Sequence, residues 1–245
     1  MIETVEGFVI SETNYKETSK IINVFTKEYG IIGIYARGAK SLKSKFRVAT
    51  LPLSYSKFEI KYKQNSLSTL ISADIIDDLT FIKTDLLRVS YYNYIIDLSS
   101  QCYRESNNFN IFDLLKGTVL KINAGFDPLI LCNVLEVKLL EIIGCKINLT
   151  ICSNCQKEGL ISTINVATSD SYCECCSKGK SKLDPKVIKL LLLYQTINIE
   201  KLKKVEIDSD LVEIINQIIK GYYENFTGIY VYSKKFLEDI LKKCQ

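Results

Sequence analysis

The hydrophobic pattern changes its period near residue 80, and this change constrains the fold more than any other feature of the sequence. Before it, apolar residues come in five short runs, rich in β-branched and aromatic residues and separated by turn signals. Such runs are typical of β-strands. Five strands in under 80 residues predict a small barrel, and the five-stranded Greek-key barrel that binds oligonucleotides, the OB-fold, is the natural candidate. The runs are VEGFVISE, KIINVFT, GIIGIYARG, LPLSYSKFEIKYK and SLSTLISADII.

After about residue 82 the apolar residues recur at three- and four-residue spacing, which predicts helices. Asp127-Pro128 and Asp184-Pro185 each combine an N-cap with a first-turn proline, and Gly144 is a stop signal. Asp210 and Glu213 have capping-box spacing. The predicted helices cover 84–105, 109–122, 128–143, 185–196, 209–223 and 234–243.

These patterns predict an α+β multidomain protein. An N-terminal OB-fold barrel over residues 1–80 precedes an all-α helical domain over 81–245. A four-cysteine zinc-binding module over 146–183, where the helical pattern breaks, interrupts the helical domain. With 47% apolar residues the chain can bury substantial cores, and only 3 prolines leave little room for flexible linkers.

Two Cys-x-x-Cys pairs, separated by seventeen residues, are the most specific motif in the chain. They match zinc-ribbon spacing, in which each tight turn directs two thiolates at one tetrahedral ion. The ligands predicted for one structural Zn²⁺ are Cys152, Cys155, Cys173 and Cys176, and Cys175 is a spare.

An iron–sulfur cluster, or cysteines that are merely buried or redox-active, are the alternatives for this motif. Four thiolates fill a zinc coordination sphere, and the chain has no histidine, so a zinc hydrolase is disfavoured. We therefore expect no enzymatic activity. Of the remaining cysteines, Cys102, Cys132 and Cys145 are predicted core residues, and Cys244 is simply terminal.

A basic loop lies between the third and fourth predicted strands. It carries five positive and no negative charges in eleven residues, against a net charge of +4 for the whole chain. Lysine and arginine bind phosphates by releasing condensed counterions, so the loop predicts sequence-tolerant nucleic-acid binding. A solvated, mobile loop is the alternative. The predicted contacts are Arg37, Lys40, Lys43, Lys45 and Arg47.

The predicted strand that begins at Tyr55 adds two more candidate contacts. Its alternation places Phe58, Ile60 and Tyr62 on a core face and Lys57, Glu59, Lys61 and Lys63 on the opposite, mostly basic face. Lys57 and Lys61 therefore join the predicted DNA-binding set. Phe46, Tyr35 and Tyr55 are candidate stacking platforms for bases, although aromatic residues of small barrels are more often core.

The N-terminal residues lack an apolar run of signal-peptide length, and no apolar stretch reaches the roughly 20 residues of a membrane span. We therefore expect a cytoplasmic, nucleoid-associated protein without membrane contact. In that reducing compartment, nine cysteines favour metal binding over disulfides.

The chain resembles the RecO family of bacterial recombination mediators along its whole length. The resemblance rests on the four-cysteine module and on five N-terminal segments: Glu6-Gly-Phe-Val-Ile, Tyr15-Lys-Glu-Thr-Ser-Lys20, Phe25-Thr-Lys-Glu-Tyr-Gly30, Ala36-Arg-Gly-Ala-Lys40 and Lys43-Ser-Lys-Phe-Arg47.

This resemblance implies a barrel, a helical domain and a zinc-binding insertion. It also implies binding of single- and double-stranded DNA, annealing of complementary strands, and recombinase loading together with RecR on strands coated with single-strand-binding protein. Carried over by position, the five basic loop residues contact DNA and the four cysteines hold zinc. The resemblance further implies a contact between the helical domain and the C-terminal tail of single-strand-binding protein.

A non-enzymatic docking adaptor, whose basic loop meets an acidic protein partner, is the main rival function. A zinc-ribbon transcription factor is a further alternative, but it accounts poorly for the N-terminal barrel.

Overall fold

The computed structural model describes residues 1–204 and 206–244, and five strands near the N-terminus form a closed barrel with OB-like topology. Each strand coincides with one of the predicted apolar runs, so the predicted barrel is confirmed. The strands are β1 (Ile2–Tyr15), β2 (Ser19–Thr26), β3 (Gly30–Ala36), β4 (Tyr55–Lys61) and β5 (Ser68–Asp77).

Neighbouring strands follow the order β1-β2-β3-β5-β4, and β4 pairs with β1 to close the barrel. A register shift between Val9 and Ser11 lets the long strand β1 bend, so that it pairs with β4 before the shift and with β2 along its second half. In the described part of the chain the only parallel pairing, between β3 and β5, consists of Ile34↔Ser68 and Tyr35↔Thr69.

Alternate residues of each strand fill the barrel. On β4, Phe58 and Ile60 are fully buried, whereas Lys57 and Lys61 point outward and are exposed. The predicted alternation of this strand is therefore confirmed.

Part of the outer barrel surface is also buried, because helices cover it. The Phe8 ring stacks on Tyr55 with centroids 4.6 Å apart, and Phe112 lies against both Phe8 and Phe25. Gly30 has a φ of 64°, and a Cβ at this position would collide with the Tyr103 hydroxyl. Glycine therefore permits both the turn into β3 and the close approach of a helix.

Within residues 1–204 and 206–244, seven helices follow the barrel strands in sequence, and each long predicted helix is present. Asp127 and Asp184 cap the helices that Pro128 and Pro185 begin, as the sequence predicts. The predicted N-cap at Asp210 is wrong. The N-cap is Asp208, whose side chain accepts a hydrogen bond from the Asp210 amide, and Asp210 lies within the helix. The helices are α1 (Thr80–Lys83), α2 (Leu86–Ser106), α3 (Asn110–Asn123), α4 (Pro128–Ile142), α5 (Pro185–Thr196), α6 (Ser209–Tyr222) and α7 (Tyr232–Cys244).

The chain forms two compact units. One contains Met1–Gly125 and the segment that begins at Val231, and the other is Phe126–Tyr230. The first unit extends past the barrel because α2 and α3 supply its outer aromatic contacts and α7 packs on α2. The expected division at residue 80 does not coincide with either end of these units and stays a prediction.

The second unit surrounds α4, whose residues are buried on nearly every side from Leu131 to Leu140. Between α4 and α5 the chain forms a two-stranded sheet of β6 (Ile161–Asn165) and β7 (Asp170–Cys173). This sheet lies within the predicted insertion 146–183. Among the described residues, no helix combines the length and apolar character that crossing a membrane requires.

Glu6 links the barrel to α3 within the first unit. Tyr55 donates a hydrogen bond of 2.7 Å to its carboxylate, and Lys116 forms an ion pair of 3.1 Å with it. Partial burial favours the neutral acid, but these two donors outweigh burial and hold the pKa of Glu6 below its ordinary value of 4.5.

We expect Glu6→Gln to lower the free energy of unfolding by about 1–2 kcal/mol at pH 7, because the ion pair with Lys116 is lost. A depressed carboxyl pKa stabilises the fold fully above pH 4.5, and this contribution disappears as the pH falls through the folded-state value. Urea unfolding of both proteins from pH 7 to pH 3 measures the difference. An equal difference at every pH would contradict the assignment, and Glu105→Gln at an exposed position of α2 is the control.

Candidate metal centre and nucleic-acid interface

The first cysteine pair lies in a tight turn just before β6. The Cys152 amide donates to the Lys157 carbonyl over 3.1 Å, and the Gln156 amide donates to the Cys152 carbonyl over 2.9 Å. The second pair begins at Cys173, the last residue of β7, and ends at Cys176 after one 3-10 turn.

These two turns bring together the four cysteines that the sequence selects. The sulfur atoms of Cys152, Cys155, Cys173 and Cys176 all lie within 4.8 Å of one another. Cys175 is exposed and lies outside the group, as predicted for the spare cysteine. Four sulfur atoms at this separation can bind one metal ion.

Backbone amides prepare the cluster for binding a cation. Hydrogen bonds from the amides of Cys155 and Cys173 lower the pKa of the Cys152 thiol to about 6. A hydrogen bond with Asn154 lowers the pKa of the Cys176 thiol. The neighbouring Cys173 thiol and burial outweigh this bond and raise the pKa of Cys176 to about 11. The Cys152 thiol therefore loses its proton more readily than the Cys176 thiol, and metal binding must displace the proton of Cys176.

The other cysteines lie apart from this cluster. Cys102 and Cys132 are buried in α2 and α4, which confirms their predicted core positions. Cys145 is only half-buried, so it is not a fully buried core residue, and its sulfur lies 3.5 Å from the Phe226 carbonyl oxygen. The side chain of Cys244 falls outside the described part of the structure.

The basic loop leaves the barrel at the end of β3 and folds into consecutive turns. Amides of Ser41, Ser44 and Arg47 each donate to a carbonyl three residues earlier. Ala39 is fully buried, and Phe46 packs against the barrel core. The loop is therefore a folded ridge anchored at two points. All five predicted contacts, Arg37, Lys40, Lys43, Lys45 and Arg47, are exposed on it.

An ion pair between the buried Lys20 and the partly exposed Glu12 holds the base of this ridge. The Lys20 ammonium is only 4% exposed, lies 2.5 Å from a Glu12 carboxylate oxygen, and donates to the Thr50 carbonyl over 2.8 Å. The Lys40 amide also donates to the Thr18 carbonyl in the turn between β1 and β2. The role of Lys20 is not apparent from the sequence, because it depends on a contact with Thr50, thirty residues away.

The two lysines of β4 differ in their surroundings. Lys61 is opposite Thr69, which pairs in turn with Tyr35 at the root of the ridge, so Lys61 is about 10 Å from that root. Lys57 is opposite Glu6 on β1 and Asp74 on β5. Two acidic neighbours make Lys57 a weaker candidate for phosphate binding than Lys61.

The three candidate stacking residues also differ in their exposure. Tyr55 is 1% exposed and Phe46 packs on the barrel core, so neither ring can serve as a platform in this conformation. Tyr35 remains partly exposed at the root of the ridge.

Comparison with known proteins supplies the family. A family model described as Recombination protein O N terminal matches residues 1–79, and one described as Recombination protein O C terminal matches residues 83–235. The chain belongs to the RecO family. Among its RecO relatives, each described as DNA repair protein RecO, that of Halalkalibacterium halodurans is 31% identical, and that of Bacillus pumilus is 32% identical. Both alignments cover 98% of this chain, with 96% and 95% of the respective relatives.

This membership makes the chain a RecO family DNA repair protein, as the N-terminal segments and the cysteine pairs predict. The match includes both the barrel with its basic ridge and the region with the cysteine cluster.

We expect Cys152→Ser to reduce bound metal well below one equivalent per chain and to lower the midpoint of thermal unfolding, because the ion holds the two turns together. Metal analysis and calorimetry measure these effects. Cys175→Ser, two residues from the predicted ligand Cys173, is the matched control and should retain metal and stability. Equal metal loss in both variants would contradict the ligand assignment.

We expect Lys20→Met to lower the free energy of unfolding by about 1–3 kcal/mol and to speed tryptic cleavage within residues 37–47, because the Thr50 carbonyl loses its donor. Denaturant unfolding and limited proteolysis measure these effects. Lys27→Met removes a half-exposed ion pair with Asp113 and should cost less stability than Lys20→Met. If both substitutions lowered the free energy of unfolding equally, the contacts of Lys20 would not hold the ridge.

Proposed function

We propose that this protein binds single- and double-stranded DNA through its basic ridge and promotes the annealing of complementary strands. The observation that carries this proposal is the ridge itself: five exposed cations, with no acidic residue among residues 37–47, on a folded loop of a barrel in a DNA repair family. Lys61 extends the same surface, and Lys57, opposite Glu6 and Asp74, is its weakest proposed contact.

The mechanism is electrostatic and involves no covalent step. Cations that contact two phosphate backbones reduce the repulsion between the strands and keep them close while bases pair. A ridge with fixed turns is suited to this task, because its charges need not be ordered at the moment of binding. We therefore propose a mediator without enzymatic activity.

We further propose that the cysteine cluster binds one Zn²⁺ with a structural role. Four thiolates are a typical structural zinc set, and they leave no coordination position for water or substrate. Metal analysis of the purified protein distinguishes zinc from iron.

The family membership also supports partners that the sequence resemblance implies. We propose that the protein acts with RecR, that its helical part binds the C-terminal tail of single-strand-binding protein, and that it loads recombinase on coated single strands. The corresponding location is the cytoplasm, in association with the nucleoid.

The test replaces Arg37, Lys40, Lys43, Lys45 and Arg47 by alanine. We expect strongly reduced DNA affinity at moderate salt, and a slope of log affinity against log salt that is flatter by up to about 3.5–4.5, because each lost phosphate contact removes about 0.7–0.9 from the slope. Fluorescence anisotropy with labelled single strands and duplexes, from 50 to 300 mM salt, measures both quantities.

A charge-matched control replaces five exposed lysines outside the ridge by alanine: Lys201, Lys203, Lys235, Lys242 and Lys243. It changes the net charge equally and should retain most of the affinity. If the folded ridge variant bound DNA like the wild type, the proposal would fail, and the ridge would be assigned to an acidic protein partner.

A further inference from the structure

An open depression of about 580 Å³ lies beside the root of the basic ridge, between the ridge and the turn that joins β1 to β2. Its volume falls within the roughly 300–1,000 Å³ typical of ligand sites. We call it the Tyr35 pocket. Its lining consists of Lys16, Glu17, Thr18, Ser19, Tyr35, Arg37 and Gly38.

The Tyr35 ring is held in place before any ligand binds. Its hydroxyl donates to Ser19 Oγ over 3.3 Å, and Tyr15 packs against it edge to face, with centroids 5.6 Å apart and planes at 85°. The Gly38 amide donates to the same Ser19 oxygen over 3.2 Å, which ties the ring to the beginning of the ridge. A fixed ring loses little conformational entropy when a flat ligand stacks on it.

Two cations belong to the same pocket, and the Lys16 ammonium lies 5.5 Å from the centroid of the neighbouring Tyr15 ring. Lys16 and Arg37 line the pocket from the two segments that border it, and Glu17 is the one acidic side chain in the lining. Arg37 is also the first residue of the basic ridge. A flat, aromatic ligand with an anionic group on either side matches this arrangement, and a nucleotide within a DNA strand has that chemistry.

We propose that the Tyr35 pocket receives one unpaired nucleobase of a single DNA strand whose phosphates lie along the basic ridge. The inference rests on the proposed function, since the ridge must bind the backbone next to the pocket. Bases of an intact duplex are stacked on one another and cannot enter. The ridge therefore provides affinity for both strand types, and the pocket adds affinity for single strands alone.

The experiment compares three fluorescein-labelled probes of equal length: oligothymidylate, an abasic single strand that retains the phosphates but lacks bases, and a blunt duplex. Wild-type protein should bind oligothymidylate at least about fivefold more tightly than the abasic strand, which is the lower end of the effect of one base on an aromatic ring. Tyr35→Leu should remove this preference while leaving the duplex affinity and the salt slope unchanged.

Two further variants separate stacking from folding. Tyr35→Phe loses the hydroxyl but keeps the ring, so it should retain the preference for oligothymidylate. Tyr15→Leu changes the half-exposed supporting ring and should reduce the preference. Tyr232→Leu, at an exposed tyrosine of α7, is the matched control and should bind all three probes like the wild type.

Full preference for oligothymidylate in Tyr35→Leu would overturn the inference, as would equal loss of preference in Tyr35→Phe. Neither result would affect the proposed function, which depends on the ridge variant. Conversely, a ridge variant that still binds the duplex normally would refute the backbone contact, whatever Tyr35→Leu does.

Discussion

The rest of the N-terminal unit depends on closing a five-stranded barrel through a parallel contact of only two residue pairs between β3 and β5. Because β5 lies between β3 and β4 in the barrel, the chain leaves the sheet after Ala36 and reaches β4 by a long connection. That connection is the basic ridge. Burial of Ala39 and Phe46, together with the ion pair of Lys20, fixes it against the barrel. Barrel closure therefore both creates the ridge and determines where it stands.

The barrel uses different parts of its surface for stability and for binding. Phe8, Tyr55 and Phe112 bury one part through aromatic contacts, and Glu6 adds a polar link to α3. The root of β3 remains accessible, with Tyr35 and Arg37 beside it. Because the ridge carries +5 of a total charge of +4, the rest of the chain has a net charge of −1. The proposed nucleic-acid partner would thus be attracted to the ridge.

The cysteine cluster can stabilise the segment between α4 and α5. The segment between α4 and α5 contains two short strands, which bury too little surface to be stable alone. Two tight turns place four sulfur atoms within 4.8 Å of one another, and a metal ion bound there would link both ends of the segment. This cluster and the ridge belong to different compact units, so the candidate metal site and the proposed DNA contact lie in separate units of the chain.

Strand alternation, helix spacing and Cys-x-x-Cys turns are local properties, so the elements and the four-cysteine cluster could be predicted from the sequence. It also located the five cations of the ridge. Which aromatic rings are accessible depends on tertiary packing and could not be predicted in this way. Tyr55 and Lys57 both point out of the barrel, yet α3 covers the tyrosine and leaves the lysine exposed. Likewise, Lys20 is buried only because Glu12 and Thr50 meet it. Burial of outward-facing side chains depends on which distant elements pack over them, and the hydrophobic periodicity of the sequence does not predict that packing.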